Sequence, residues 1–214
     1  MTSIKGTASA VAILIGLCAP PARAGYVVDL TQQGDNVVAT GSGALDLTGL
    51  GFIGPGVFPE TGLGAAQAII LTGPAVAGVP VDAYLASFTG PANFGTGLFV
   101  AAGSGNGDWV GIDLTGVLSD GHSELLVPRG YLSGSPLSDT ATYFSHNFSI
   151  LGVTPGTYEW TWGSGANQNF TLVIGGGSTV PEPSTWVMLL LGFAGLGIMG
   201  YRSAGWRRAT AYRA

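Results

Sequence analysis

Thr157-Tyr158-Glu159-Trp160-Thr161-Trp162, a break over residues 163–169, then Phe170-Thr171-Leu172-Val173-Ile174: this stretch decides the fold. In the first run Tyr158, Trp160 and Trp162 share one face, while Thr157, Glu159 and Thr161 share the other. Side chains that alternate with a period of two belong to a strand, not to a helix. Phe170, Leu172 and Ile174 repeat the pattern in the partner run. Thr154-Pro155-Gly156 precedes the pair with proline and glycine where a tight turn wants them. Inward aromatics facing one another across a hairpin stabilise it by roughly 0.2–1 kcal/mol per pair. Burial of Tyr158, Trp160 and Trp162 is therefore expected.

Working outward, the same short alternation recurs. Residues 26–30 and 36–40 read as strands around the turn Gln32-Gln33-Gly34-Asp35. Residues 81–88 and 123–127 are further strands, the latter following the turn Asp120-Gly121. Residues 98–101 and 109–114 flank a glycine-rich segment, 103–108, that reads as a hairpin loop. Residues 141–148 alternate less cleanly. Residues 65–71 fit a strand or a short helix, because an apolar run of that length has no telling period. Gly41-Ser42-Gly43 reads as a bend. Many short strands with frequent turns and no long amphipathic helix predict an all-β fold, an antiparallel β-sandwich over residues 25–174.

Charge narrows the function. Between residues 25 and 179 eleven acids stand against one base, Arg129. Such a surface repels nucleic acid and anionic lipid heads. The single cysteine, Cys18, lies in the N-terminal apolar stretch, which excludes disulfides, thiolate metal sites and cysteine nucleophiles from residues 25–214. Two imidazoles exist, His122 and His146. His122-Ser123-Glu124 offers mixed ligand types, yet no HExxH zinc pattern and no GxSxG nucleophile elbow occurs. Both histidines read as polar residues at strand ends. Asn106 and Asp108 could hold calcium, but they lack the spaced carboxylates of an EF-hand loop, and a turn is the expected role. Trp109, Trp160 and Trp162 could form a sugar platform if they were exposed. No catalytic residue, metal or cofactor is assigned.

The two ends differ from this acidic middle. Lys5 followed by the apolar run 8–19 has the form of a secretory signal peptide covering residues 1–24. Ala22 and Ala24 are the small residues that signal peptidase reads, so cleavage is expected before Gly25. Export through the general secretion machinery follows. Gly175-Gly176-Gly177-Ser178-Thr179 reads as a flexible linker over 175–179. From Pro183 to Tyr201 run nineteen consecutive uncharged residues, with Pro181 and Glu182 just before them. As a helix they would span roughly 28 Å, enough to cross a bilayer. Trp186 and Tyr201 lie near its ends, and Arg202, Arg207, Arg208 and Arg213 follow it. The excess of arginine predicts a single transmembrane helix with a cytoplasmic C-terminus.

Val180-Pro181-Glu182-Pro183-Ser184-Thr185-Trp186, the Gly- and Leu-rich span and the arginine tail together resemble the PEP-CTERM sorting signal, here residues 180–214. The resemblance implies recognition of Pro181-Glu182-Pro183 by exosortase, a membrane-embedded cysteine transpeptidase, with cleavage nearby. It also implies delivery to the cell surface or an exopolysaccharide matrix. Residues 34–47, 130–134 and 153–158 resemble segments of other proteins with this signal, for which no activity is implied. The expectation is an exported, non-enzymatic protein with a structural or adhesive role. The partners implied are exosortase, signal peptidase and exopolysaccharide. The alternatives are a carbohydrate-binding module and, behind it, a secreted hydrolase.

Overall fold

A computed structural model describes residues 25–58, 60–85, 87–116 and 121–175 of the chain. The signal peptide, most of the linker, the sorting motif and the membrane span expected from the sequence lie outside the described residues. What is described is two β-sheets packed face to face, with no α-helix among these residues.

The first sheet has six strands. In spatial order they are β12 (Gly156–Thr161), β13 (Asn169–Ile174), β1 (Tyr26–Gln33), β2 (Asn36–Ala44), β11 (Pro136–Tyr143) and β8 (Ser104–Gly107). The second has seven, in the order β3 (Gly51–Phe58), β6 (Val79–Leu85), β10 (Glu124–Pro128), β9 (Val110–Asp113), β5 (Ile69–Thr72), β4 (Gly62–Gly64) and β7 (Val100–Ala101). Neighbouring strands are antiparallel except β1 and β13, which run parallel with Tyr26 opposite Phe170 and Leu30 opposite Ile174. That pair joins the start and the end of the domain.

The opening hairpin forms as its alternation predicts. Trp160 is fully buried opposite Phe170, and Tyr158 and Trp162 are half-buried on the same face. The Trp160 ring meets Phe170 and Phe94 edge-on, at centroid distances of 6.4 and 6.3 Å. Its Nε1–H donates to the Pro91 carbonyl, so the indole nitrogen is not stranded in the core. Tyr26, Val28, Leu30, Val37 and Ala39 complete this wall of the sandwich. The turn between β1 and β2 is tighter than expected. Gln32 and Gln33 remain in the strand, and Gly34, at φ 60°, makes the reversal with Asp35.

Three expectations need correction, and one open alternative is resolved. Residues 104–107 are no hairpin loop: they form β8, which leaves the second sheet after β7 and pairs with β11 at the edge of the first. The strand expected over 141–148 is β11 and runs earlier, over Pro136–Tyr143, with Leu137, Asp139, Ala141 and Tyr143 pointing inward. Its charged member hid the alternation. Gly41-Ser42-Gly43 is no bend but lies inside β2, paired on both sides. Gly41 is required there because a Cβ would collide with the Tyr26 hydroxyl and the Asp139 carboxylate. Residues 65–71 divide between both alternatives: a 3₁₀ turn at Ala65–Gln67, then β5. The edge strand β3 and the short inner strand β4 carry no alternation that marks them in the sequence.

The second sheet is apolar on both faces. Ile70, Ile112, Leu125 and Val127 point into the sandwich. Ile69, Leu71, Val81, Ala83, Trp109 and Leu126 form a separate buried cluster on the opposite face. Adjacent residues on one strand point to opposite sides, so Ile70 and Leu71 cannot share a core. The edge strand β3 is more open, with Phe52, Ile53 and Val57 exposed and a bulge between Phe52 and Gly54.

Candidate functional site

The chain leaves the domain at a fixed point. After Ile174 the Gly175 N–H donates to the Leu30 carbonyl at 2.9 Å, extending the β1–β13 ladder by one bond. Whatever follows residue 175 therefore starts from the pole of the sandwich that carries the Gly34-Asp35 turn.

That pole holds an open hollow of about 520 Å³ lined by Gln32, Gly34, Asp35, Ser145, His146 and Asn147. Its polar groups are engaged with backbone. His146 Nδ1 lies 2.6 Å from the Phe144 carbonyl, and the Ser145 N–H donates to Asn36 Oδ1 at 3.0 Å. Asn147 Oδ1 accepts the Ile150 N–H. These are turn-fixing contacts.

The opposite pole carries a cleft of about 310 Å³ lined by Gly49, Leu50, Leu85, Ser87, His122, Ser123 and Trp162. β12 brings Trp162 there, and the start of β10 brings His122 and Ser123. The Trp162 Nε1–H donates to the Asp46 carbonyl at 2.9 Å, and Phe88 meets its ring at 86° with centroids 5.9 Å apart. Ser123 Oγ donates to the Leu114 carbonyl at 2.7 Å. The three tryptophans considered as a platform thus separate: Trp109 is 6% and Trp160 0% exposed, and Trp162 alone of the three lines a cleft.

Between the sheets lies a polar cluster that sequence reasoning missed. Asp139 on β11, 4% exposed, accepts a short hydrogen bond from the Tyr26 hydroxyl on β1. Its Oδ2 also lies 2.9 Å from Thr72 Oγ1 on β5, so one carboxyl ties the two sheets together. Burial pushes the acid up to about 6, against the pull of these hydrogen bonds. Burial likewise raises the hydroxyls of Tyr26 and Tyr143 above the usual phenol range. Thr72 Oγ1 has one proton and two acceptors in reach, since the Val110 carbonyl lies at 3.0 Å. The Oδ1 atom is buried without a hydrogen bond. The group acts as a fastener between the sheets. The strict alternation Leu137-Asp139-Ala141-Tyr143 was the signal that could have found it.

A second fastener joins two of the segments singled out in the sequence. The Tyr131 hydroxyl accepts the Leu45 N–H at 3.0 Å and lies 2.7 Å from the Ser135 carbonyl. Ser133 Oγ accepts the Leu47 N–H and lies 3.1 Å from Asp46 Oδ1. The Thr48 N–H, donating to Asp46, holds that carboxyl below its ordinary range. Residues 130–134 thus clamp the end of β2, which gives their sequence pattern a structural role.

Other polar residues close turns and pairings in similar ways. Asn106 Oδ1 accepts the Gly107 N–H and Asp108 Oδ2 the Ser138 N–H, both at 2.8 Å. Asp113 and Glu124 sit opposite each other on β9 and β10, both buried. Asp113 Oδ1 accepts from the Thr115 N–H, the Thr115 hydroxyl and the Gly116 N–H, which closes the turn after β9. Among the described residues no group of three histidines, cysteines or acids is placed to hold a metal. No helix of the described residues is long and apolar enough to cross a membrane.

Of the site residues expected from the sequence, Gly25 is described, one position before β1, buried against Asn169. Ala22, Ala24, Val180, Pro181, Glu182, Pro183, Ser184, Trp186, Arg202, Arg207 and Arg208 lie outside the described residues. No curated protein and no solved structure matches the chain. The family model of the PEP-CTERM protein-sorting motif matches residues 179–209, so the chain carries, just past its last strand, the C-terminal signal of proteins sorted by exosortase.

Proposed function

We propose that this is an exported cell-surface or exopolysaccharide-matrix protein whose mature domain is structural or adhesive and not enzymatic. The observation that carries the reading is the placement of the sorting motif. β13 ends at Ile174 and the matched signal begins at residue 179, so folded cargo and signal abut without overlap. From Gly175 to Pro181 an extended chain reaches about 20 Å, room for an enzyme to engage the motif without unpairing β13. At the other end, cleavage between Ala24 and Gly25 would leave the whole β1 ladder, from Tyr26 onward, intact.

In this account the apolar span after Trp186 holds the chain in the inner membrane with its arginines in the cytoplasm. Exosortase cuts near Pro181-Glu182-Pro183 and releases the domain outward. A non-enzymatic role agrees with the spending of Ser123 and His146 on backbone carbonyls. An adhesive role needs a ligand, and the cleft at Trp162 favours a carbohydrate-binding module as the alternative to a purely structural part.

The test removes Pro181 to Pro183 in the producing cell. The shortened chain should accumulate unprocessed in the inner-membrane fraction and vanish from the surface. Processing and surface delivery at the parental level would refute the reading.

A further inference from the structure

We propose that the cleft at Trp162 is a subsite for a neutral polysaccharide. This rests on the adhesive reading above and supplies its ligand class.

Position comes first. Trp162 follows the end of β12 that pairs with Asn169, whereas the chain exits after Ile174 at the other end of β13. Five strand steps, about 17 Å, separate the two ends. The cleft therefore opens on the pole opposite the point where the chain leaves the domain at Gly175, where a long polymer can approach without meeting that exit.

The chemistry of the walls is that of a sugar site. A pyranose has an apolar face of C–H bonds and a rim of hydroxyls. The first packs on an aromatic ring, and the second needs small polar side chains that both donate and accept. The cleft offers the Trp162 indole, the exposed Ser87 hydroxyl and the lone pairs of Ser123 Oγ, beside the apolar Leu50 and Leu85. Its volume, about 310 Å³, suits a short saccharide stretch and is too small for a protein segment. The indole is already immobilised by the Asp46 carbonyl and the edge of Phe88, so binding costs it little rotamer freedom.

Charge selects among polysaccharides. Arg129 is the one basic residue of the domain, and it lies 3.5 Å from the Asp82 carboxylate. Among the described residues no lysine or arginine lines the cleft, and the domain as a whole is acidic. Uronate or sulfated chains would be repelled, whereas uncharged hexose chains would not.

The experiment titrates the full chain, solubilised in a neutral detergent, with two soluble neutral polysaccharides, laminarin and galactomannan, and with alginate as the anionic probe. Calorimetry reads the affinity. Binding of at least one neutral polymer, weakened tenfold or more by Trp162→Ala and kept within about threefold by Trp162→Tyr, is the expected result. Trp162 is half-buried, so Ser87→Trp serves as a second variant. Ser87 is exposed, and a large side chain there blocks the cleft without opening the core. It too should abolish binding. Phe144→Ala, at the far pole, should not. Neutral-polymer binding that survives both Ser87→Trp and Trp162→Ala overturns the site and leaves the adhesive reading standing. No binding of either neutral polymer by the unmodified chain overturns the ligand class as well. Tighter binding of alginate contradicts the charge argument and with it the proposal.

Discussion

The two sheets of this domain solve the same packing problem differently. The central strands of the six-stranded sheet, β1, β2 and β11, run eight or nine residues and alternate between a dry and a wet side. In the seven-stranded sheet β4, β5, β7, β9 and β10 run two to five residues, and the sheet buries apolar side chains on both faces. Even its acids, Asp113 and Glu124, are withdrawn from water. A sheet wet on one side shows its strands as a period of two. A sheet dry on both sides shows only apolar runs, such as Ile69-Ile70-Leu71, that no period can resolve.

The contrast is open to mutation. In the six-stranded sheet Trp160→Ala should cost about 3–5 kcal/mol, the largest effect, because it empties the aromatic centre of the inner face. Urea denaturation reads it. In the seven-stranded sheet Leu126→Ala should cost about 2–4 kcal/mol even though Leu126 points away from the sandwich interior. A cost within about 0.5 kcal/mol would mean that the outer face is an ordinary wet surface, and the contrast would fail.

The fastener between the sheets adds a pH dependence. An unfolded aspartate titrates near 3.9, whereas Asp139 in the folded chain titrates at about 6. The folded state thus holds the proton more tightly. The stability that comes from the neutral acid is complete below about pH 4 and is lost as pH rises through about 6. The swing is on the order of 2–3 kcal/mol. Relative to Asp139→Asn, the parent chain should therefore lose stability between pH 4.5 and pH 7.5. A flat difference between the two proteins over that range would show that Asp139 is ionised throughout. Smaller still, Tyr131→Phe removes the hydroxyl that clamps Leu45 and should cost about 1 kcal/mol in the same denaturation assay.

Legibility followed the same physics. The β12–β13 hairpin, the β1–β2 hairpin and the burial of Trp160 could be read from alternation, because each element has one wet side. The excursion of β8 from one sheet to the other could not. Ser104-Gly105-Asn106-Gly107 has turn composition, and only tertiary pairing with β11 makes it a strand. Asp139 was invisible for a related reason: a carboxylate in sequence reads as surface, and its burial depends on partners 113 and 67 positions away. The cleft at Trp162 joins residues from four separate stretches of chain, so its parts could be named but not its shape. The sorting motif was legible, since its device is linear: Pro181-Glu182-Pro183, an apolar stretch and a basic tail in fixed order.

The central claim is that an acidic β-sandwich travels between two removable ends. Intact-mass analysis of the protein recovered from outside the producing cell tests it most directly. The account predicts a chain that starts at Gly25 and ends between Pro181 and Pro183, with nothing of residues 187–214. A surface protein that still carries both Met1 and Ala214 would contradict it.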